Sequence, residues 1–138
     1  MTVRGVLETC LYASDLAAAE RFYADVIGLE PFQRVEGRHV FFRCGGGVFL
    51  VFDAMRTSVA SSVVNGAPIP AHGATGAGHV AFRVNAAELD AWRGRLASGG
   101  VTIESEVRWP NGGHSLYVRD PAGNSVELAT AAIWGLAE

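Results

Sequence analysis

Gly78-His79-Val80-Ala81-Phe82-Arg83-Val84, GHVAFRV, alternates in side-chain character and then runs into Asn85-Ala86-Ala87-Glu88, where the alternation stops. A period of two is the mark of a half-buried strand, so Val80, Phe82 and Val84 take one face and His79, Ala81 and Arg83 the other. Glu88 stands three residues after Asn85, a capping-box arrangement, and Leu89, Trp92 and Leu96 then recur at helical spacing until Gly99-Gly100. Three more strands follow, at about 101–108, 113–119 and 124–130. The last two join through Asp120-Pro121-Ala122-Gly123, which has the residues of a type I turn. The order is strand, helix, three strands.

The same order stands upstream. Val6–Ala13 alternates like a strand, and Ser14 or Asp15 can cap a helix carrying Leu16, Ala19, Tyr23, Val26 and Ile27 on one side, with Gly28 as its stop. Strands at about 29–36, 38–43 and 47–53 are separated by the turns Glu36-Gly37-Arg38 and Cys44–Gly47. The repeat is one of pattern and predicts approximate two-fold symmetry inside the chain. We therefore expect an α+β fold of two βαβββ modules in one domain over 1–138. Module 1 covers about 4–53, a connection about 54–77, and module 2 about 78–134. The connection exceeds the ~12–15 residues of an ordinary loop, and we expect a crossover with some lid character.

Bulk properties narrow the function. The chain has 138 residues, 49% hydrophobic and 18% charged, with a net charge of −3, which fits one globular domain. It contains no lysine, so all 11 basic residues are arginine. That removes a Schiff-base or P-loop lysine, and the scattered arginines make no basic stripe for nucleic acid. No signal-like segment or membrane-length apolar run occurs, so a cytoplasmic location away from membranes is expected. Cys10 and Cys44 are too few for a disulfide framework and lack zinc-pair spacing; both are expected to be reduced core residues.

Alternation assigns the faces of the other outer strands. In the first, Leu7, Thr9, Leu11 and Ala13 oppose Glu8, Cys10 and Tyr12; in the eighth, Val126 and Leu128 oppose Ser125, Glu127 and Ala129. Glu8, His79 and Glu127 thus take equivalent, helix-free faces. A solvent-facing sheet surface, with Glu8 paired to Arg83, would carry the same residues; two carboxylates and an imidazole at matching positions also suggest a metal site.

LETCLYASDLAAAERFYADVIGLE, GHVAFRV and YVRDPAGNSVEL together resemble the vicinal oxygen chelate superfamily, which includes glyoxalase I, bleomycin-resistance proteins, extradiol dioxygenases and fosfomycin-resistance enzymes. The resemblance covers nearly the whole chain. It implies that each module forms half of a U-shaped cleft, with metal ligands on the first, fourth, fifth and eighth strands, usually in a homodimer. Carried over, the ligands are Glu8, where members commonly have His, with His79 and Glu127. Aligning GGGVFLVFDA with PAGNSVELAT puts the fourth-strand position at Val51, which cannot bind metal. A nitrogen with two carboxylates suits Mn²⁺, Fe²⁺, Ni²⁺, Zn²⁺ or Mg²⁺.

Glu127, Glu8 and His72 are then the acid–base candidates, and Tyr12, Arg83, Val51, Trp109, His114 and Ser125 the substrate contacts. The resemblance implies a metal-dependent isomerase or lyase acting on a small vicinal-oxygen substrate. A bleomycin-resistance-type binding protein, which needs no metal and uses an aromatic groove, is the alternative. An extradiol dioxygenase ranks lower, because Glu8 stands where that chemistry wants a histidine.

Overall fold

A computed structural model describes residues 1–59 and 62–137 of the chain. The backbone divides into two units, Met1–Gly76 and Ala77 onward. The first holds β1 (Glu8–Tyr12), α1 (Leu16–Arg21), β2 (Glu30–Val35), β3 (His39–Cys44) and β4 (Gly47–Phe52), in sheet order β1-β4-β3-β2. After β4 come α2 (Ala54–Thr57) and a hairpin of β5 (Ser62–Val64) and β6 (Ala67–Ile69). The second unit holds β7 (His79–Arg83), α3 (Leu89–Ser98), β8 (Ser105–Arg108), β9 (His114–Arg119) and β10 (Ser125–Ala129), in sheet order β7-β10-β9-β8. In both sheets the first and last strands are parallel neighbours and the other pairs antiparallel. This is the expected α+β architecture.

Hydrogen bonds fix how the two sheets correspond. Val48 N donates to the Leu7 carbonyl as Ser125 N does to Gly78, and Ala13 N donates to Phe52 as Val84 N does to Ala129. Glu8 therefore corresponds to His79, Tyr12 to Arg83, Leu50 to Glu127 and Phe52 to Ala129. In each sheet one face is apolar and buried under its helix. Leu11, Val40, Phe42, Phe49 and Val51 form it in the first unit, against Ala19, Tyr23 and Ile27. Val80, Phe82, Leu116, Val118, Val126 and Leu128 form it in the second, against Leu89 and Leu96. Fully burying one such side chain contributes ~1.5–3 kcal/mol, so these faces hold each helix on its sheet.

Several local expectations change. Asp15, not Ser14, caps α1, its carboxylate accepting from Ala18 N. The helix then widens into a π turn over Phe22–Ile27 before Gly28 ends it at φ 89°. Asn85 makes no capping bond to the helix backbone; its amide donates to the Glu88 carboxylate, and a 3₁₀ turn precedes α3. Trp92 is half-buried, with the Arg95 guanidinium 5.5 Å from its ring. Cys10 and Cys44 are free thiols, half-buried rather than in the core. The connection is ordered by the β5–β6 hairpin, whose two-residue turn is Asn65-Gly66, both at positive φ.

Candidate functional site

In the second unit β7 and β10 place His79 and Glu127 on the helix-free face. Glu127 is 5% exposed, and its Oε2 lies 3.3 Å from Nε2 of the more open His79. His79 Nδ1 is 3.2 Å from the carbonyl oxygen of Ser125. A carbonyl can only accept, so Nδ1 carries the hydrogen and the in-plane acceptor position of Nε2 points at the carboxylate. Two acceptors then face each other, and something positive must lie between them: a proton or a cation. Glu127 Oε1 is buried with no hydrogen-bond partner among the described residues, a costly state for a carboxylate oxygen. Among the described residues no group of three or more His, Cys, Asp or Glu side chains is set to hold a metal. His79 and Glu127 fit a divalent ion as a two-ligand fragment: an orphaned carboxylate oxygen, and an imidazole whose second nitrogen is already fixed by a carbonyl, as in metal-ligating histidines generally.

The turn at Asp120–Asn124 builds this fragment from behind. Both residues are buried. Asp120 accepts from the backbone N–H of Ala122 and Asn124 and from the Asn124 amide, at 3.0, 2.8 and 2.8 Å. Asn124 Oδ1 then accepts from Gly78 N at 2.8 Å, fixing the backbone just before His79. Tyr117, opposite Glu127 in the β9–β10 register, stacks near the His79 ring at 6.4 Å. Burial first, and then the Glu127 carboxylate, push its phenol up, so it remains a hydrogen-bond donor at neutral pH.

The first unit contains a cavity of about 570 Å³ against its own helix-free face, within the range of small-molecule sites. Glu8 lies at one end, exposed. Leu50, Phe41 and Phe52 form the apolar wall, and the β5–β6 hairpin adds Val64 and Ile69. His72 enters beside them, its Nδ1 2.8 Å from Tyr12 Oη and its ring 4.7 Å from Phe52. Burial and then the neighbouring Cys10 push the Tyr12 phenol up to about 12.

The other predicted residues separate. Val51 is fully buried on the helix side, so it contacts no ligand; the side chain facing the cavity from β4 is its neighbour Leu50. His114 has the parity of Leu116 and Val118 and points to the helix side, where its Nε2 is 2.7 Å from Glu106 Oε1. It belongs to a charge cluster with Arg93, not to the helix-free face. Trp109 is part-exposed, and its indole donates to Ser115 Oγ at 2.9 Å, on the face that carries Tyr117. Arg83 donates to the Ala137 carbonyl at 2.5 Å and forms no ion pair among the described residues. Ser125 serves through its backbone carbonyl.

Two residues escaped the sequence reading. Tyr117 could have been found by carrying the alternation of LYVRD across the turn to Glu127. His39 could have been found the same way, since it shares parity with Phe41 in HVFFRC. It is 7% exposed and stacked on Phe41 with ring centres 4.0 Å apart. Burial and then the adjacent Arg38 lower its pKa, so it is neutral at pH 7.

With the geometry established, three comparisons bear on identity. The sequence profile of the Glyoxalase/Bleomycin resistance protein/Dioxygenase superfamily matches residues 5–128. A lactoylglutathione lyase structure from Agrobacterium tumefaciens is 46% identical over 99% of this chain and 100% of its own, with a TM-score of 0.91. Fosfomycin resistance protein FosX from Listeria monocytogenes shares the fold at 21% identity, TM-score 0.67, over 94% of this chain and 95% of its own. A putative glyoxalase family protein from Bacillus anthracis does so at 19% identity, TM-score 0.69, over 94% and 97%. No curated protein matches the sequence.

Proposed function

The chain belongs to the Glyoxalase/Bleomycin resistance protein/Dioxygenase superfamily, and we propose that within it this protein is a divalent-metal-dependent lyase or isomerase acting on a small substrate with vicinal oxygens. The observation that carries the proposal is the His79–Glu127 pair, with Nδ1 committed to a carbonyl and Oε1 without a partner among the described residues. His79 and Glu127 would hold the ion. The ion, when bound, supplies Lewis-acid polarisation of adjacent substrate oxygens. The 46% identity to a lactoylglutathione lyase favours lyase chemistry over oxygen activation.

The chain's own residues supply the rest. A Tyr12 phenol held up at about 12 stays protonated and hydrogen-bonds His72 Nδ1 at 2.8 Å. In the tautomer with its hydrogen on Nε2, His72 can give that hydrogen to a substrate oxygen. Glu127 is buried enough to act on a proton beside its ligand role, and Tyr117 donates towards it. The hairpin adds Val64 and Ile69 to the cavity wall. We expect a homodimer in the cytoplasm; both cysteines are free, and no described helix is long and apolar enough to cross a membrane.

Elemental analysis of tag-free protein, wild type and His79→Ala, tests this. About one divalent ion per chain, lost in the variant, is the expected result; a screen of 2-oxoaldehydes with and without glutathione follows. No metal uptake from Mn²⁺, Fe²⁺, Ni²⁺, Zn²⁺ or Mg²⁺ overturns it. The aromatic cavity would then favour the second reading, a ligand-sequestering protein of the bleomycin-resistance type.

A further inference from the structure

The first unit's cavity is chemically graded along its strands. Paired residues form three rows across the sheet. Glu8, Val48 and Arg43 make one; Cys10, Leu50 and Phe41 the next; Tyr12, Phe52 and His39 the last. Glu8 and Tyr12 are four residues apart on β1, about 13 Å at the rise of a strand. Glu8 marks one end. The middle is apolar, with Leu50 and Phe41. At the far end Phe41 meets His39 face-on and Phe52 meets it edge-on, with ring centres 4.0–5.8 Å apart across the three.

Arg38 also lies at that far end, lining the cavity beside His39. It is half-buried, its Nη2 donating to Ser62 Oγ at 2.5 Å and its Nη1 lying 3.4 Å from His39 Nδ1. Among the described residues no carboxylate pairs with it, whereas Arg34, Arg93 and Arg119 each have a glutamate. Gln33 Nε2 lies 3.5 Å from the other nitrogen of His39, so donors converge there without an anion. A half-buried guanidinium on a planar fork is built to take a carboxylate.

We propose that the cavity takes an elongated monocarboxylate with a flat aromatic or unsaturated middle, its carboxylate on Arg38 and its middle against Phe41, Phe52 and Leu50. This rests on the proposed function only in taking the first unit's cavity as the place where the substrate's body binds. It makes the substrate longer than a simple 2-oxoaldehyde, and it requires no glutathione.

The test is binding of 3-phenylpropanoate to metal-free protein, followed by calorimetry or by chemical-shift changes in the Phe and His resonances. Its neutral amide, acetate and glutathione serve as the comparison set. The carboxylate should bind ~10–100-fold tighter than the amide, the worth of a charge-assisted hydrogen bond in a half-buried site. Arg38→Gln should erase that preference and Arg38→Lys should keep part of it. Both variants should melt within a few degrees of wild type, and both should take up metal unchanged. Equal binding of acid and amide, or binding of glutathione in preference to both, overturns the inference. So does an Arg38→Gln variant that is folded and retains the preference. A protein that takes no metal yet shows the Arg38-dependent preference defeats the metalloenzyme reading and leaves this one standing.

Discussion

The two units build one backbone twice and furnish it differently. On the helix-free face, first-unit Glu8, Tyr12, Leu50, Phe52, His39 and Phe41 correspond to second-unit His79, Arg83, Glu127, Ala129, Ser115 and Tyr117. One set is aromatic and lines a cavity of about 570 Å³. The other is smaller and more polar, and carries the imidazole–carboxylate pair. The helix-side faces differ much less: both are fully buried aliphatic and aromatic surface. Close packing restrains the core face, because any methylene gained or lost there is felt, while the other face is free to differentiate. A duplicated frame thus carries an aromatic cavity on one copy and an imidazole–carboxylate pair on the other.

The sharpest way to break that comparison is a pair of neighbouring substitutions. Leu50→Glu puts into the first unit the carboxylate that the second has at Glu127. Leu50 faces the cavity, so the variant should fold, at a cost of about 2 kcal/mol in lost apolar burial. Val51→Glu, one residue on, buries a charge among Leu11, Val40 and α1, and should cost on the order of 5 kcal/mol or more. Urea unfolding of both proteins decides it. Comparable stability would show that the two faces of β4 are not what the register makes them.

A second contrast lies where β1 and β7 begin. Gly47 and Asn124 occupy equivalent positions. A Cβ on Gly47 would stand 2.7 Å from the Leu7 carbonyl oxygen, so the first unit needs a glycine there. The second unit instead uses the Asn124 side chain to hold Gly78 N. Asn124→Ala should cost about 2 kcal/mol, from buried groups left unpaired, and loosen His79 enough to weaken metal binding by ~10-fold. Metal titration beside thermal melting checks both. A loss of stability with unchanged metal affinity would make Asn124 a turn residue and nothing more.

What was legible in the sequence follows from how directly each feature is encoded. GHVAFRV and the strand around Glu127 sort their faces by alternation alone, so the His79–Glu127 face could be read without coordinates. Val51 was misplaced because the two turns differ by one residue. Arg43 pairs with Val48 across four residues, Arg119 with Ser125 across five, and a one-residue slip moves a side chain to the other face. The sequence reading makes His114 a substrate contact, although the parity of Leu116 and Val118 already puts it on the helix side. The β5–β6 hairpin had its signal in Asn65-Gly66. With prolines close by and strands of only three residues, it read as loop. Arg38 was invisible for a different reason: its lack of an acidic partner among the described residues is a property of the fold, not of the sequence around it.

The smallest expected effect concerns how each helix is tied to its edge strand. In the first unit the acid is on the helix and the base on the strand, Glu20 in α1 with Arg34 in β2. The second reverses this, with Arg93 in α3 bonded to Glu106 in β8, and adds His114 on the same carboxylate. The Arg93 hydrogen bond, with smaller help from His114, lowers the Glu106 pKa from 4.5 to about 2. A depressed carboxylate favours the folded state above its unfolded value, and that contribution fades as pH falls from 4.5 towards 2. Glu106→Gln should therefore leave a shallower loss of stability across that window, with the difference from wild type greatest near neutral pH and shrinking as acid is added. The cluster is solvent-exposed, so salt should reduce the difference as well. Urea midpoints at a series of pH values measure it. A variant whose acid profile runs parallel to wild type would mean that the Arg93–Glu106–His114 cluster, unlike the buried faces beneath it, does not help hold α3 on its sheet.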